Sequence, residues 1–474
     1  MVLLSVVFTV ADNTNGIVRS LPHTQALPME EAPEGELVTH LPIVRVDTDG
    51  APIPYVDNDG TPMDGLPAGT PLDTACTMEV ISQEGVWHTD TDTPELTTAA
   101  TIRIRGNSSR HFDKKSYLVK LYTDNRGDDR AAEVMGMSAA GEWVLNGPFL
   151  DRTLMRNYLC YSVAGQAMDF APDLRFCELI LNGEYRGIYL MTEAVTKGEG
   201  RVDLTEPEQG RAMTSWLVRW DRESKAEVPL DNFTHYTLQS GVSGLDLCYP
   251  GKHTVTPERV EYVETEISQI ERAIYSADFQ DPVKGYAAYL DETAFARYFV
   301  LNEFFGNVDA GRFSTYYYKD VRGKVTPVVW DFNNAADNYI DYVYDNTGFN
   351  MTQSPWFGRL LQDEEFVRQV VAQYRAMRKD ILSDAYLTAF IDETAAYLGD
   401  AVDRNYEVWG YVFQATAVDD VNYLHPLSRN YRSYDEAVEQ LKTWLTKRGD
   451  WMDQHIETLY QYCRDSKNAA RIEQ

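Results

Sequence analysis

Two aspartates carry the strongest chemical signal in this chain of 474 residues. Asp309 stands in Asn307-Val308-Asp309-Ala310-Gly311, directly after a helix-forming stretch, and Asp331 stands in Val329-Trp330-Asp331-Phe332-Asn333, at the end of an apolar run. Between them, residues 314–319 and 324–330 read as strands joined by the turn Asp320-Val321-Arg322-Gly323. A hairpin returns its ends to one neighbourhood, so a separation of 22 residues in sequence becomes proximity in space. Phosphoryl transfer asks for such a pair: one carboxylate to hold a divalent cation against the phosphates, another to orient the attacking hydroxyl. Asp also favours turns and helix starts for local reasons, so the pair alone leaves a structural reading open.

The elements that must position the pair follow from periodicity. Residues 1–40 read as a flexible lead or the remnant of a signal-anchor, and residues 41–98 as a small β-rich module with short extended runs such as Pro42-Ile43-Val44-Arg45-Val46 and Met78-Glu79-Val80-Ile81. Asp49-Gly50 and Asp59-Gly60 predict tight turns. Asp57-Asn58-Asp59-Gly60 has part of a calcium-loop spacing, but no Glu follows at the position such a loop requires. Thr101-Ile102-Arg103-Ile104-Arg105 and Tyr117-Leu118-Val119-Lys120-Leu121 alternate with period two, as strands do. A helix is expected over 151–168 with Asp151 as its N-cap, then strands over 176–181 and 187–192 around Asn182-Gly183. After a loop-rich stretch, residues 257–306, 366–398 and 434–462 read as helical. The fold class is α+β: a mostly antiparallel sheet lobe over 99–255 and a helical lobe over 256–465 with the hairpin embedded in it.

Acidic residues outnumber basic ones 73 to 43, a formal net charge of -30. That field repels a nucleic-acid backbone and an anionic membrane, so nucleic acid is excluded as a partner, and a nucleotide would need local Lys, Arg and a cation to be received. The five cysteines are scattered and never spaced as a metal pair. The apolar start MVLLSVVFTV lacks a basic flank, so a membrane is met only through an N-terminal anchor, if at all. No phosphate-binding Gly-x-x-x-x-Gly-Lys-Ser/Thr loop, His-Glu-x-x-His helix or Gly-x-Ser-x-Gly elbow is present.

One ordered set of motifs narrows the field. Ile104-Arg105-Gly106-Asn107-Ser108-Ser109-Arg110 is followed by Lys114-Lys115-Ser116-Tyr117, then Leu154-Met155-Arg156-Asn157, then Leu181-Asn182-Gly183-Glu184-Tyr185-Arg186-Gly187-Ile188-Tyr189-Leu190 with Glu193, and last Asn307-Val308-Asp309 and Trp330-Asp331. In this order the motifs resemble the CotH kinase family, spore-coat protein kinases and related surface proteins. The resemblance is strong over residues 101–334 and weaker in the helical tail. It implies a divergent, two-lobed protein-kinase-like fold over 99–465 that uses ATP with Mg²⁺ or Mn²⁺ to phosphorylate a hydroxyl acceptor, a Ser or Thr of a surface protein or an envelope polymer. It also leans localisation toward the cell envelope.

Carried over by position, Asp331 corresponds to the metal-binding aspartate, and Asp309 to the catalytic aspartate or a second metal contact. Lys115 is the candidate phosphate-contacting cation, with Lys114 as its rival. Arg105, Arg156, Asn107 and Ser108 are candidates for nucleotide contact, and Glu193 for pairing with the lysine or the nucleotide. The chain departs from the family where Ser314 replaces a common Asn and Asn333 a common Asp; Asn333 is a candidate metal ligand, with Asn334 and Asp337 available to complete the set. These departures keep a second reading in view, a kinase-like surface or scaffold protein that binds nucleotide without transferring phosphate.

Overall fold

The computed structural model describes residues 20–463 except 57–60, 62–64, 68, 124–126, 223–225, 234–242, 252, 340–344 and 419–420. The apolar start and the Asp57–Gly60 stretch therefore lie outside the described residues.

Seven strands close into a barrel: β1 (Ile43–Asp47), β2 (Thr74–Ile81), β3 (Leu96–Arg105), β4 (Ser116–Tyr122), β5 (Glu142–Asn146), β6 (Leu174–Leu181) and β7 (Glu184–Glu193). Around the barrel they run β6-β7-β5-β4-β3-β2-β1, and the ring closes where β1 lies parallel to β6, with Ile43 opposite Glu178. Alternation builds the interior. Val44, Val46, Met78, Val80, Ala100, Ile102, Val119, Leu121, Trp143, Leu145, Cys177, Leu179, Tyr189 and Met191 occupy every second position and pack into one cluster. The turn at Asn182-Gly183 has both residues at positive φ, 52° and 78°, as a two-residue hairpin requires.

The expected separate β-rich module over 41–98 is not seen. Its strands β1 and β2 are staves of the barrel, paired with β6 and β3. The reason is that a lone two-stranded ribbon leaves unpaired edges, and closure removes them.

A second sheet holds β8 (Trp216–Arg222), β9 (Ser243–Tyr249), β10 (Thr315–Lys319) and β11 (Thr326–Val328) in the order β9-β8-β10-β11. The expected hairpin is β10–β11, with Tyr317 opposite Pro327. β8 and β9 fall in the stretch read as loop. Trp216, Leu217 and Val218 are buried in succession, so their period-two signal is lost.

Helices α1 (Arg156–Ala164), α2 (Pro257–Tyr275), α3 (Glu292–Phe305), α4 (Glu364–Arg378), α5 (Asp384–Leu398), α6 (Asp400–Trp409) and α7 (Tyr434–His455) make up the helical part. Local chemistry sets several of their starts. Thr256 caps α2 through the Arg259 amide with Pro257 in the first turn, and Asp291 caps α3 through the Ala294 amide. Asp151 lies outside α1, yet it receives the Arg156 amide at 2.8 Å and so serves its N-terminus from five residues away. The large core joins this part to the barrel, because β6 and β7 are apolar on both faces: Leu174, Phe176, Ile188 and Leu190 point outward to meet Tyr158, Leu159 and the helices behind them.

Candidate functional site

Gly306, at φ 64°, ends α3 in a left-handed cap, with its amide on the carbonyls of Asn302 and Glu303. The next residue, Asn307, donates from Nδ2 to Asn302 Oδ1 at 3.0 Å and to the Trp330 carbonyl at 3.4 Å. This ties the end of α3 to the end of the hairpin and brings Asp309 and Asp331 together. Asp309 then turns the chain, its carbonyl receiving the amides of Arg312 and Phe313.

Asp331 adopts φ 61°, in the left-handed region that is uncommon for a residue with a side chain. Tyr161 and Asn157, one turn apart on α1, hold it there. The Asp331 amide donates to the Tyr161 hydroxyl, the Phe332 amide to Asn157 Oδ1 and Asn157 Nδ2 to Asn333 Oδ1, each at 2.8 Å. Its carboxylate accepts from Asn333 Nδ2 at 2.7 Å and from Ser314 Oγ at 3.4 Å, and Ser314 is itself left-handed at φ 48°. Asn334 Nδ2 donates to Asp309 at 3.2 Å. Burial first, and the charge of Asp331 second, push the Asp309 carboxyl up to about 6, against the pull of the Arg222 guanidinium.

A small polar cleft opens beside Asp331, between barrel and helices. Arg105, Asn146, Asn157, Tyr161 and Trp330 are among its walls. The Arg105 guanidinium lies 5.5 Å from the centre of the Trp330 ring, and Trp330 stacks on Tyr161. Near the pair, the side-chain oxygens of Asn307, Asn334 and Asn338 are buried without a hydrogen-bond partner, and so is that of Asn146 in the cleft wall. Two carboxylates with spare amide oxygens are the hard donors that a cation such as Mg²⁺ takes, so the residues present fit one. No group of three or more His, Cys, Asp or Glu suited to a metal occurs among the described residues.

The remaining candidates are placed as follows. Arg156 is fully buried in an ion pair with Asp151 at 2.6 Å and donates to the Ala335 carbonyl at 2.9 Å, so it braces the loop after Asp331. Lys115 donates to the Arg110 carbonyl at 2.8 Å and lies over the Tyr55 ring. Lys114 is sealed inside on Asn405 Oδ1 at 2.7 Å, where burial drives its pKa well down. Glu193 is buried, accepts from the Asp173 amide and stands 3.9 Å from Arg201. Asn107 and Ser108 form a tight turn after Gly106, whose φ of 113° would strain any side chain at that glycine. Asp337 is held by Arg429 at 2.8 Å.

Sequence reasoning missed Arg222 and Asp221. Trp220 on β8 pairs with Thr315 on β10, and carrying that register on brings the end of β8 beside the Asp309 turn. There Arg222 lies over the Phe313 ring at 4.3 Å and 3.7 Å from Asp221. Nothing local marks this, because the pairing spans almost a hundred residues.

Taken together, fold and site define a mixed α+β protein with a carboxylate pair at the edge of a polar cleft. The chain belongs to the CotH kinase protein family, which it matches over residues 102–452. It is also similar to the inner spore coat protein H of Bacillus subtilis (strain 168), with 24% identity over 315 residues, 60% of this chain and 78% of that protein. The family match begins inside β3, so β1 and β2, which complete the barrel, precede it.

Proposed function

We propose that this protein is an atypical kinase that transfers the γ-phosphoryl group of ATP to a hydroxyl acceptor, a Ser or Thr of a surface protein or an envelope polymer, with its barrel and helical halves acting as the two lobes of a kinase-like fold. The observation that carries this reading is the approach of Asp309 and Asp331 across the β10–β11 hairpin, with the charge of one raising the pKa of the other. Asp331 and the amide oxygens of Asn333 and Asn334 are the residues that would hold Mg²⁺ or Mn²⁺, with Asp309 beside them as the base or a second metal contact. For both amides this requires a turn, since the Asn333 nitrogen now faces Asp331 and the Asn334 nitrogen Asp309. Bound there, the cation neutralises phosphate charge. Arg105 offers a guanidinium to the phosphates from the cleft wall. Asp309, when ionised, accepts the proton of the acceptor hydroxyl.

A second reading, a nucleotide-binding scaffold without transfer, is favoured by the lysines. Lys114 is sealed inside, and Lys115 is engaged by the Arg110 carbonyl. Incubation with γ-labelled ATP, Mg²⁺ and an acceptor mixture separates the two. Label transferred by the wild type and lost in Asp331→Ala supports the kinase; a thermal shift with ATP but no label supports the scaffold. Equal labelling by both proteins sinks the proposed role of Asp331.

A further inference from the structure

Between α6 and α7 the chain forms a strap of short 3-10 turns, at Gly410–Phe413, Ala415–Ala417, Val421–Leu424 and Leu427–Arg429. The strap meets the loop that follows Asp331. Arg429 Nη1 donates to Asp337 Oδ1 at 2.8 Å, with only 9% and 13% of the two side chains exposed, and Arg429 also donates to the Tyr423 carbonyl. So enclosed a pair escapes most of the solvent screening that weakens surface ion pairs.

The loop it grips is under backbone strain. Asp331, Ala336 and Asp337 are all left-handed, at φ 61°, 52° and 51°. Non-glycine residues persist in that region only when their surroundings impose it. Besides Arg429, and the Tyr161 and Asn157 bonds at the start of the loop, three clamps do so: Arg156 on the Ala335 carbonyl at 2.9 Å, the Ala336 amide on the Phe305 carbonyl at 2.8 Å, and Asn338 on the Asn333 carbonyl at 2.8 Å. At the end of the loop Tyr339 meets two rings edge-on, Phe112 at 5.4 Å and Tyr423 at 6.3 Å, and those two meet each other at 6.1 Å. Phe112 directly follows the Gly106–His111 turn. One aromatic triad therefore joins the strap, that turn and the Asp331 loop.

We propose that the strap is the positioning element of the site, with Arg429 as a positioning residue that acts through Asp337 to hold Asp331 in its cation-binding conformation. The inference rests on the kinase reading for the identity of the cation, but not for the mechanical link. Removing the guanidinium takes the ion pair away from Asp337, and the strain stored along the loop then relaxes toward Asp331. Removing the Asp337 charge breaks the same ion pair and acts in the same direction.

The test uses the full chain as wild type, Arg429→Gln, Arg429→Lys, Asp337→Asn and the double variant Arg429→Gln/Asp337→Asn. Hydrogen exchange is expected to speed up at residues 331–339 in Arg429→Gln, while exchange in α4 and α5 is unchanged. The Mg²⁺ concentration for half-maximal transfer should rise roughly 10- to 100-fold, as when an outer partner of a ligand is lost, with the acceptor KM unchanged. Arg429→Lys should recover part of this, and the effect of the double variant should fall short of the sum of the two single ones. Unchanged exchange at 331–339, an unchanged Mg²⁺ requirement in an active enzyme, or additive single effects would each overturn the proposal. If the wild type transfers no phosphate, the kinase reading falls, and exchange at 331–339 alone decides the strap: loss of protection upholds the link, retention overturns it.

Discussion

The Asp331 carboxylate lies close enough to Asp309 for its charge to reinforce burial, and together they move the Asp309 carboxyl from the ordinary 3.8 to about 6. The Asp309 carboxyl is therefore partly protonated in mildly acid solution. Replacing Asp331 by Asn removes the second cause and leaves the first. The Asp309 side-chain carbon in Asp331→Asn is expected to titrate below its wild-type midpoint in carbon-detected NMR, yet above 3.8; an unmoved midpoint would show that the two groups do not sense each other.

The same shift has a stability consequence. Folding raises the pKa of Asp309, so its favourable contribution is fully present below about pH 3.8 and is lost as pH rises through about 6. Asp309→Asn, which cannot ionise, should gain on the wild type between pH 4 and 7 by on the order of 2 kcal/mol. Urea midpoints at the two pH values check this, and a constant difference would refute it.

Activity should depend on the ionised base. Asp309→Asn is expected to lower kcat by roughly 10²- to 10⁴-fold with the ATP KM little changed, the range for a lost general base. Asp331→Ala should abolish Mg²⁺-dependent transfer altogether. A kcat for Asp309→Asn within a few-fold of the wild type would remove Asp309 from the chemistry.

Two arginines that look alike in sequence should behave in opposite ways. Arg156 is sealed against Asp151, and Arg156→Met leaves that carboxylate buried without its partner, a cost of roughly 3–5 kcal/mol. Arg105 faces the cleft, and Arg105→Gln should leave the urea midpoint close to that of the wild type while raising the ATP KM. Denaturation curves and initial rates on the same preparations separate the two roles.

Ser314 offers a gain-of-function test. Its φ of 48° suits Asn better than most residues, and its hydroxyl already reaches Asp331. Ser314→Asn should fold with little change in stability and lower the Mg²⁺ concentration needed for transfer, by supplying an amide oxygen beside the carboxylate pair.

Much of the arrangement is legible in the sequence. The hairpin and its two flanking acids, the alternation of β3 and β4, the strands β6 and β7 around their Asn182-Gly183 turn, and the start of α2 follow from turn residues and periodicity that act over a few residues. The destinations of the long cations do not. Arg105 and Arg156 each sit in a family motif, yet one reaches the cleft and the other an internal carboxylate, and Lys115 turns to the Arg110 carbonyl.

By itself, then, the sequence determines most of the barrel strands and the helical stretches, that two acids meet at the ends of one hairpin, and which family the motifs resemble. Tertiary structure alone decides that β1 and β2 close a barrel with β6 and β3, that Tyr161 and Asn157 fix the Asp331 backbone, and that Arg222 and Arg429 reach the two aspartate loops. The reason is physical. Periodicity and capping are short-range and leave a local trace, whereas the partner of a long charged side chain or an open strand edge is chosen by packing between segments far apart in the chain.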